Sequence, residues 1–194
     1  MSKIAKVDEN LVIESSLNLS DVIWYPVTPE LFTVKGVRHT KDGFIRMDKA
    51  VAASVSEQME ILNTHTSGGR IFFETDASYV ALKVKTENTI MEHMPLSGSH
   101  GFDLYVDEGE GYFNFNIALP PRNFKESYEN LIEFETNRHY KLLYKKMKRK
   151  MQLYFPLYAP VKELYIGLPE GAVLEKFEPY DKPPVVYYGS SVTQ

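Results

Sequence analysis

Short apolar or alternating runs, each stopped within a few residues by Gly, Pro, Asp or Asn, recur along most of this 194-residue chain, and that punctuation reads as an all-β domain. Val22-Ile23-Trp24-Tyr25 stops at Pro26 and Pro29, Phe32-Thr33-Val34 stops near Gly36, and Phe44-Ile45-Arg46-Met47 follows the turn signal Asp42-Gly43. Runs at 70–75 and 79–84 flank Asp76-Ala77-Ser78 and read as a hairpin. Those at 102–106 and 112–117 flank Asp107-Glu108-Gly109-Glu110-Gly111 and read as a second. Further runs at 131–134, 152–157 and 161–166 complete a spacing that predicts a jelly-roll-like β-sandwich. Plentiful aromatics, Tyr 13 and Phe 11, favour sheet over bundle.

One or two short helices interrupt the pattern. Residues 54–62 carry a capping-box spacing from Ser54 to Glu57, with apolar Val55, Met59 and Leu62 on one face. The stretch 140–151 fits a helical face through Tyr140, Leu143, Tyr144, Met147 and Met151, yet strand signals flank it; strand is expected after Met147. Glu178-Pro179-Tyr180-Asp181-Lys182-Pro183-Pro184 holds three prolines in seven residues and reads as a stiff linker. The expected division is therefore a β-sandwich over 1–177, a linker over 178–184 and a separate terminal segment over 185–194. That segment opens with Val185-Val186-Tyr187-Tyr188, a strand-like run without charge.

Composition narrows the chemistry. A net charge of −4 gives no case for nucleic acid or an anionic membrane as partner, and no run is long and apolar enough for a signal peptide or a membrane span. The expectation is a cytoplasmic protein that binds neither nucleic acid nor membrane. The absence of cysteine excludes disulfides, thiol catalysis and zinc–thiolate sites. His39, His65, His93, His100 and His139 show no metal-ligand spacing, so neither metal nor other cofactor is expected. The seven Lys and Arg of 138–150, unrelieved by acid, read as a solvated strand edge or helix face rather than a polyanion site. Trp24, Tyr25, Tyr154 and Tyr158 read either as core aromatics of a sandwich or as a sugar-stacking platform.

Gly189-Ser190-Ser191, directly after the terminal strand-like run, has the form of a nucleophile turn that lifts a serine oxygen to the carboxyl end of a sheet; a mobile chain end is the plainer reading. Gly101-Phe102-Asp103-Leu104-Tyr105, then Leu153-Tyr154-Phe155-Pro156-Leu157-Tyr158, and last Tyr188-Gly189-Ser190-Ser191-Val192-Thr193-Gln194 together resemble the amino-terminal domain of SGNH-type (GDSL-like) esterases. That domain carries a Gly-x-Asp-Leu-Tyr signature, a Leu-Tyr-Leu-Pro-Leu-Tyr-like strand and a Tyr-Gly-Ser-Ser-Ile-Thr-Gln-Gly nucleophile block. Gly68-Gly69-Arg70-Ile71-Phe72-Phe73-Glu74-Thr75-Asp76 is similar to the family's segment after its first helix, so the resemblance runs from about Phe44 to the last residue.

The resemblance implies that Ser191 is the nucleophile of an esterase hydrolysing carboxylic esters, an acylated carbohydrate among the candidates. It also implies that 185–194 is the start of an α/β catalytic domain to which the terminal strand belongs, and that the base and further oxyanion donors lie in the rest of that domain. Ser191 alone, without them, is expected to be inert. The β domain would then pack beside that catalytic domain and shape one wall of its cleft, with Arg46, His100 and Asp103 as candidate substrate-binding residues. The alternative is a stand-alone carbohydrate-binding module without catalysis. Within the signature, strand parity sets Phe102, Leu104 and Val106 on one face and Asp103 and Tyr105 on the other. Gly101 is expected to allow an unusual backbone angle. Asp103 either points into the cleft or satisfies local backbone donors.

Overall fold

The computed structural model describes residues 16–88, 93–134, 147–183 and 185. In chain order it contains strands β1 (Val22–Pro26), β2 (Thr33–Lys35), β3 (Arg38–Thr40) and β4 (Gly43–Ile45), then helices α1 (Lys49–Val55) and α2 (Glu57–Asn63). Strands β5 (Arg70–Thr75) and β6 (Tyr79–Thr86), helix α3 (Leu96–His100), and strands β7 (Phe102–Asp107), β8 (Tyr112–Ala118), β9 (Ser127–Glu133), β10 (Arg149–Tyr154) and β11 (Val161–Pro169) follow. No helix among the described residues is long and apolar enough to cross a membrane.

Antiparallel pairing in the order β1-β11-β6-β9 makes a first sheet and β2-β5-β10-β7-β8 a second, with β3-β4 a separate hairpin. Alternation sends every second side chain inward. Val80, Leu82 and Val84 of β6 and Leu164, Ile166 and Leu168 of β11 therefore enter one cluster with Phe73, Leu104, Val106, Met151 and Leu153 of the second sheet. Two sheets sharing one core form a sandwich, and the all-β expectation holds.

Three local readings are corrected. β5 and β6 do not form a hairpin: they lie in different sheets, and residues 76–78 carry the chain from one layer to the other. Asp76 accepts a bond from the Val173 amide there, 2.8 Å away, and Ala77 is buried. The helix expected over 54–62 is two helices broken at Ser56, whose extended backbone lets its side chain accept from the Met59 amide and cap α2. Ser54 is not a cap, since its hydroxyl donates to the Val51 carbonyl inside α1. The β7–β8 hairpin forms as expected, with Asp107 accepting from the amides of Gly109 and Gly111.

Four connections meet at one end of the sandwich. The β4–β5 segment bridges to the β10–β11 loop at His65 and Pro160, and the Thr66 hydroxyl contacts the carbonyl oxygens of Pro156 and Ala159. The β10–β11 loop in turn sends the Tyr158 amide to the Ser99 carbonyl of α3. The β6–β7 segment meets the β8–β9 loop through Asn88 and the Phe124 carbonyl, 2.7 Å apart.

After β11 the chain doubles back over the outer face of the second sheet. Glu175 exchanges backbone bonds with Glu74 at 2.7 and 3.0 Å. Phe177 then meets Phe72 edge-on at 6.1 Å while its carbonyl accepts from Thr33 Oγ1 at 2.6 Å. Glu178 pairs with Lys35, and Tyr180 packs edge-on to Phe72 at 5.7 Å. Glu178 and Tyr180, in the expected linker, thus lie on the sheet. The tail runs antiparallel to β5, from Glu74 towards Arg70, so it leaves the domain at the end where the four connections gather.

Trp24, on the outer face of the first sheet, is nevertheless buried, packed with Tyr79 and Ala81 under Leu17 and Leu19. Its ring occupies the space a side chain at Gly167 would need: a Cβ there would stand 2.8 Å from both Trp24 Cζ3 and Val22 Cγ2. Gly167→Ala is expected to cost about 1–3 kcal/mol by overpacking, read as a lower urea midpoint at unchanged slope. An unchanged midpoint would show that the indole shifts without penalty.

Candidate functional site

The signature strand β7 alternates buried and half-buried residues as parity requires, and Asp103 and Tyr105 emerge on the outer face of the second sheet. Register places them in rows with their neighbours. Asp103 lies opposite Tyr154, which lies opposite Arg70; Tyr105 lies opposite Gln152, which lies opposite Phe72. The Tyr105 and Tyr154 rings are 5.3 Å apart. Arg70 donates to the Tyr154 hydroxyl at 3.2 Å and holds its guanidinium between the faces of Tyr154 and Tyr180, 5.6 and 5.7 Å from the ring centres. Its Nε is buried without a hydrogen-bond partner among the described residues.

Asp103 makes no side-chain hydrogen bond among the described residues, and burial alone holds its carboxyl above the usual range. The expected bonds to local backbone donors are absent. Gly101 is also explained differently from its expectation. Its φ of −74° is ordinary. A Cβ there would lie 2.4 Å from the Ser97 carbonyl oxygen and 3.2 Å from Ile117 Cγ2, so the glycine allows α3 to close onto the start of β7.

Arg46 and His100 belong to the same end of the sandwich, but their polar atoms are engaged. The Arg46 guanidinium donates through Nε and Nη2 to the Leu62 carbonyl, at 3.2 and 2.8 Å, near the carboxyl end of α2. His100 is 1% exposed; its Nε2 lies 3.1 Å from the Glu87 carbonyl, to which it donates, and its Nδ1 lies 2.8 Å from Ser99 Oγ. Burial pushes the His100 imidazole down, against the raising effect of that carbonyl, which favours the neutral ring. Tyr128 reinforces the turn by donating to the His100 carbonyl at 3.0 Å. A further histidine, His65, stands 6.1 Å from the Tyr158 ring; burial and then the Arg46 charge push its imidazole down. Ser191 lies outside the described residues, as does most of the basic run at 138–150. No group of three metal-binding side chains occurs among the described residues.

Of the aromatics weighed for sugar stacking, Trp24 is enclosed, whereas Tyr25, Tyr154 and Tyr158 are half-buried. Sequence reading missed Arg70 and Tyr180 as neighbours of the signature. Arg70 was detectable from parity with Phe72; Tyr180 was not, because it reaches the sheet by the return of the tail.

A family model described as GxDLY, the N-terminus of SGNH-hydrolase-type esterases, matches residues 22–174. Among solved structures, the chain resembles a protein described as a GDSL-like lipase from Bacteroides ovatus, with a TM-score of 0.67 and 21% identity over 81% of this chain. It also resembles a salicylyl-acyltransferase from a tetracycline biosynthetic pathway, with a TM-score of 0.59 and 17% identity over 86% of this chain. In each case it spans 44% of the other protein's length. At these identities the likeness establishes the fold. No curated protein matches the chain.

The lone carboxylate has a measurable consequence. A carboxyl whose folded-state pKa lies above its unfolded value favours folding fully below the unfolded pKa and loses that contribution as pH rises through the folded one. Asp103→Asn removes this loss. The variant chain should melt higher than its parent near neutral pH, with the gain shrinking as pH falls towards about 3.9, the ordinary value for aspartate. A variant that melts lower than its parent at neutral pH would show that the carboxylate has a stabilising partner.

Proposed function

The chain belongs to the GxDLY family, the N-terminal part of SGNH-hydrolase-type esterases, and from that membership we propose that it is the accessory domain of a serine hydrolase acting on carboxylic esters, forming one wall of the catalytic cleft. The observation that carries the cleft-wall reading is the course of the tail. Phe177 and Tyr180 hold it to the sheet until it leaves over Arg70, beside Asp103 and the four gathered connections. A hydrolase domain joined there by a proline-rich segment begins next to the signature.

In this reading Ser191 attacks the ester carbonyl, and the hydrolase domain provides the general base and the remaining oxyanion donors. The histidines at this end are poorly suited to be that base: both ring nitrogens of His100 are engaged, and Nδ1 of His65 is buried. Asp103 meets the substrate or the facing domain directly. Arg46 and His100 position the loops of the wall through the carbonyls of Leu62 and Glu87. The family's ester chemistry supports a carboxylic ester, and an acylated carbohydrate fits the tyrosine pair.

That same pair, Tyr105 and Tyr154 beside an unpartnered carboxylate, favours a second reading, a carbohydrate-binding module without catalysis. Glycan binding by this chain, with no ester turnover by the protein that carries it, would select that alternative.

The longer protein, with its hydrolase domain, should turn over short-chain aryl esters and lose roughly four to six orders of magnitude in kcat on Ser191→Ala. Turnover that survives this substitution removes Ser191 from the mechanism. Asp103→Asn should change KM or kcat for the preferred substrate several-fold in the same protein. Unchanged constants for Asp103→Asn, Arg46→Ala and His100→Ala, with the fold intact, would remove the wall from the site.

A further inference from the structure

Helices α1 and α2 carry apolar side chains that stand exposed among the described residues. In α1, Lys49-Ala50-Val51-Ala52-Ala53-Ser54-Val55, only Ala52 is buried. Val51 is 53% exposed and Val55 62%, four residues apart and therefore on one face; Ile61 of α2 is 51% exposed. A helix that ends in water ordinarily presents charge on its outer face. The one charged residue of α1, Lys49, lies at its first turn and pairs with Asp42.

The pair is held to the domain by polar bonds instead. Asn63 accepts from the Met47 amide at 2.8 Å and donates to the Met47 carbonyl at 3.2 Å. Arg46 adds its bonds to the Leu62 carbonyl, and Asp48 and Ser56 cap the two helices. These contacts fix the helices while leaving Val51, Val55 and Ile61 outward.

We infer that the α1–α2 face is a docking surface for the hydrolase domain. This rests on the functional reading above, and the chain's own geometry identifies the occupant. The tail leaves over Arg70, the first residue of β5, and α2 ends at Asn63, seven residues before it. The connection is close in space as well: a Cβ on Gly36, next to Lys35, would lie 2.0 Å from the Gly68 carbonyl oxygen, and Lys35 pairs with Glu178 of the departing tail. The next domain therefore emerges beside the helices. Glu178 and Tyr180 are held on the sheet, so only the four residues 181–184 of the proline-rich segment lie beyond it; at polyproline rise they reach about 12 Å, too little to carry that domain clear of this end. Ile117, 39% exposed and in register with Asp103, and Leu119, 43% exposed, are further exposed apolar residues at the signature's end of the sandwich. Apolar area of this kind, bordered by polar residues, is what a domain interface covers.

The test is Val51→Lys with Val55→Lys in the full-length protein. Both side chains are exposed, so the same double variant of this 194-residue chain should keep its melting temperature, which controls for folding. In full-length protein the variant should scatter X-rays as a more extended particle than its parent and be cut several-fold faster in the segment 178–184 by protease. Scattering and cleavage equal to the parent's would overturn the inference. So would sedimentation of the unmodified 194-residue chain as a dimer that the double variant splits, since a second copy would then be the occupant. Ester turnover by the full-length parent is scored separately: its absence removes the esterase reading but leaves the scattering comparison to decide whether the domains dock here.

Discussion

The direction this domain faces depends on Phe72. Its ring is fully buried on the outer side of a sheet, where a strand in water would carry a polar residue, and what buries it is the returning tail, through the edges of Phe177 and Tyr180. Fully burying the Phe72 ring is worth about 1.5–3 kcal/mol, and the half-buried Phe177 and the 48% exposed Tyr180 add less, so these contacts offset part of the cost of ordering the tail. The two backbone bonds between Glu74 and Glu175 set the tail's register, and Arg70 under Tyr180 sets its exit. Without that anchor the connection to any following domain would be a loose tether; with it, the exit is fixed beside the signature strand.

Polar groups at that end divide into two kinds. Those of Arg46, His100, Asn63 and Thr66 bond to backbone carbonyls and amides and so satisfy main-chain groups of the irregular connections that pack there. Among the described residues, the Asp103 carboxylate, Nε of Arg70 and Nδ1 of His65 have no hydrogen-bond partner. A half-buried carboxylate without a partner costs a domain stability, and such costs persist where a surface is completed by something outside the domain. In the docking proposed above, Asp103 and the helix face both meet the hydrolase domain, one through a polar and the other through apolar side chains.

Much of this was legible in the residues. The β7–β8 hairpin followed from Asp107, Gly109 and Gly111, because turn chemistry is local, and the outward side of Asp103 followed from parity. The β5–β6 connection was misread because turn residues show that a chain reverses and not whether the two strands pair; Asp76, Ala77 and Ser78 instead carry it across the layers. Trp24 is outward by parity yet buried, since residues 17 and 19 fold over it from a distance no strand period encodes. The site was legible as the signature but not as a surface: Arg70, Tyr180 and the helix face reach Asp103's end only through the tail's return and the packing of separate loops.

Hydrogen–deuterium exchange, compared between this chain alone and the full-length protein, tests most directly whether this end of the sandwich faces the hydrolase domain. The structure predicts slower exchange in the full-length protein across residues 97–105, 154–158 and the α1–α2 pair, with the 107–112 turn at the opposite end of β7 unchanged. Slower exchange at 107–112 with no change at the signature strand would contradict it.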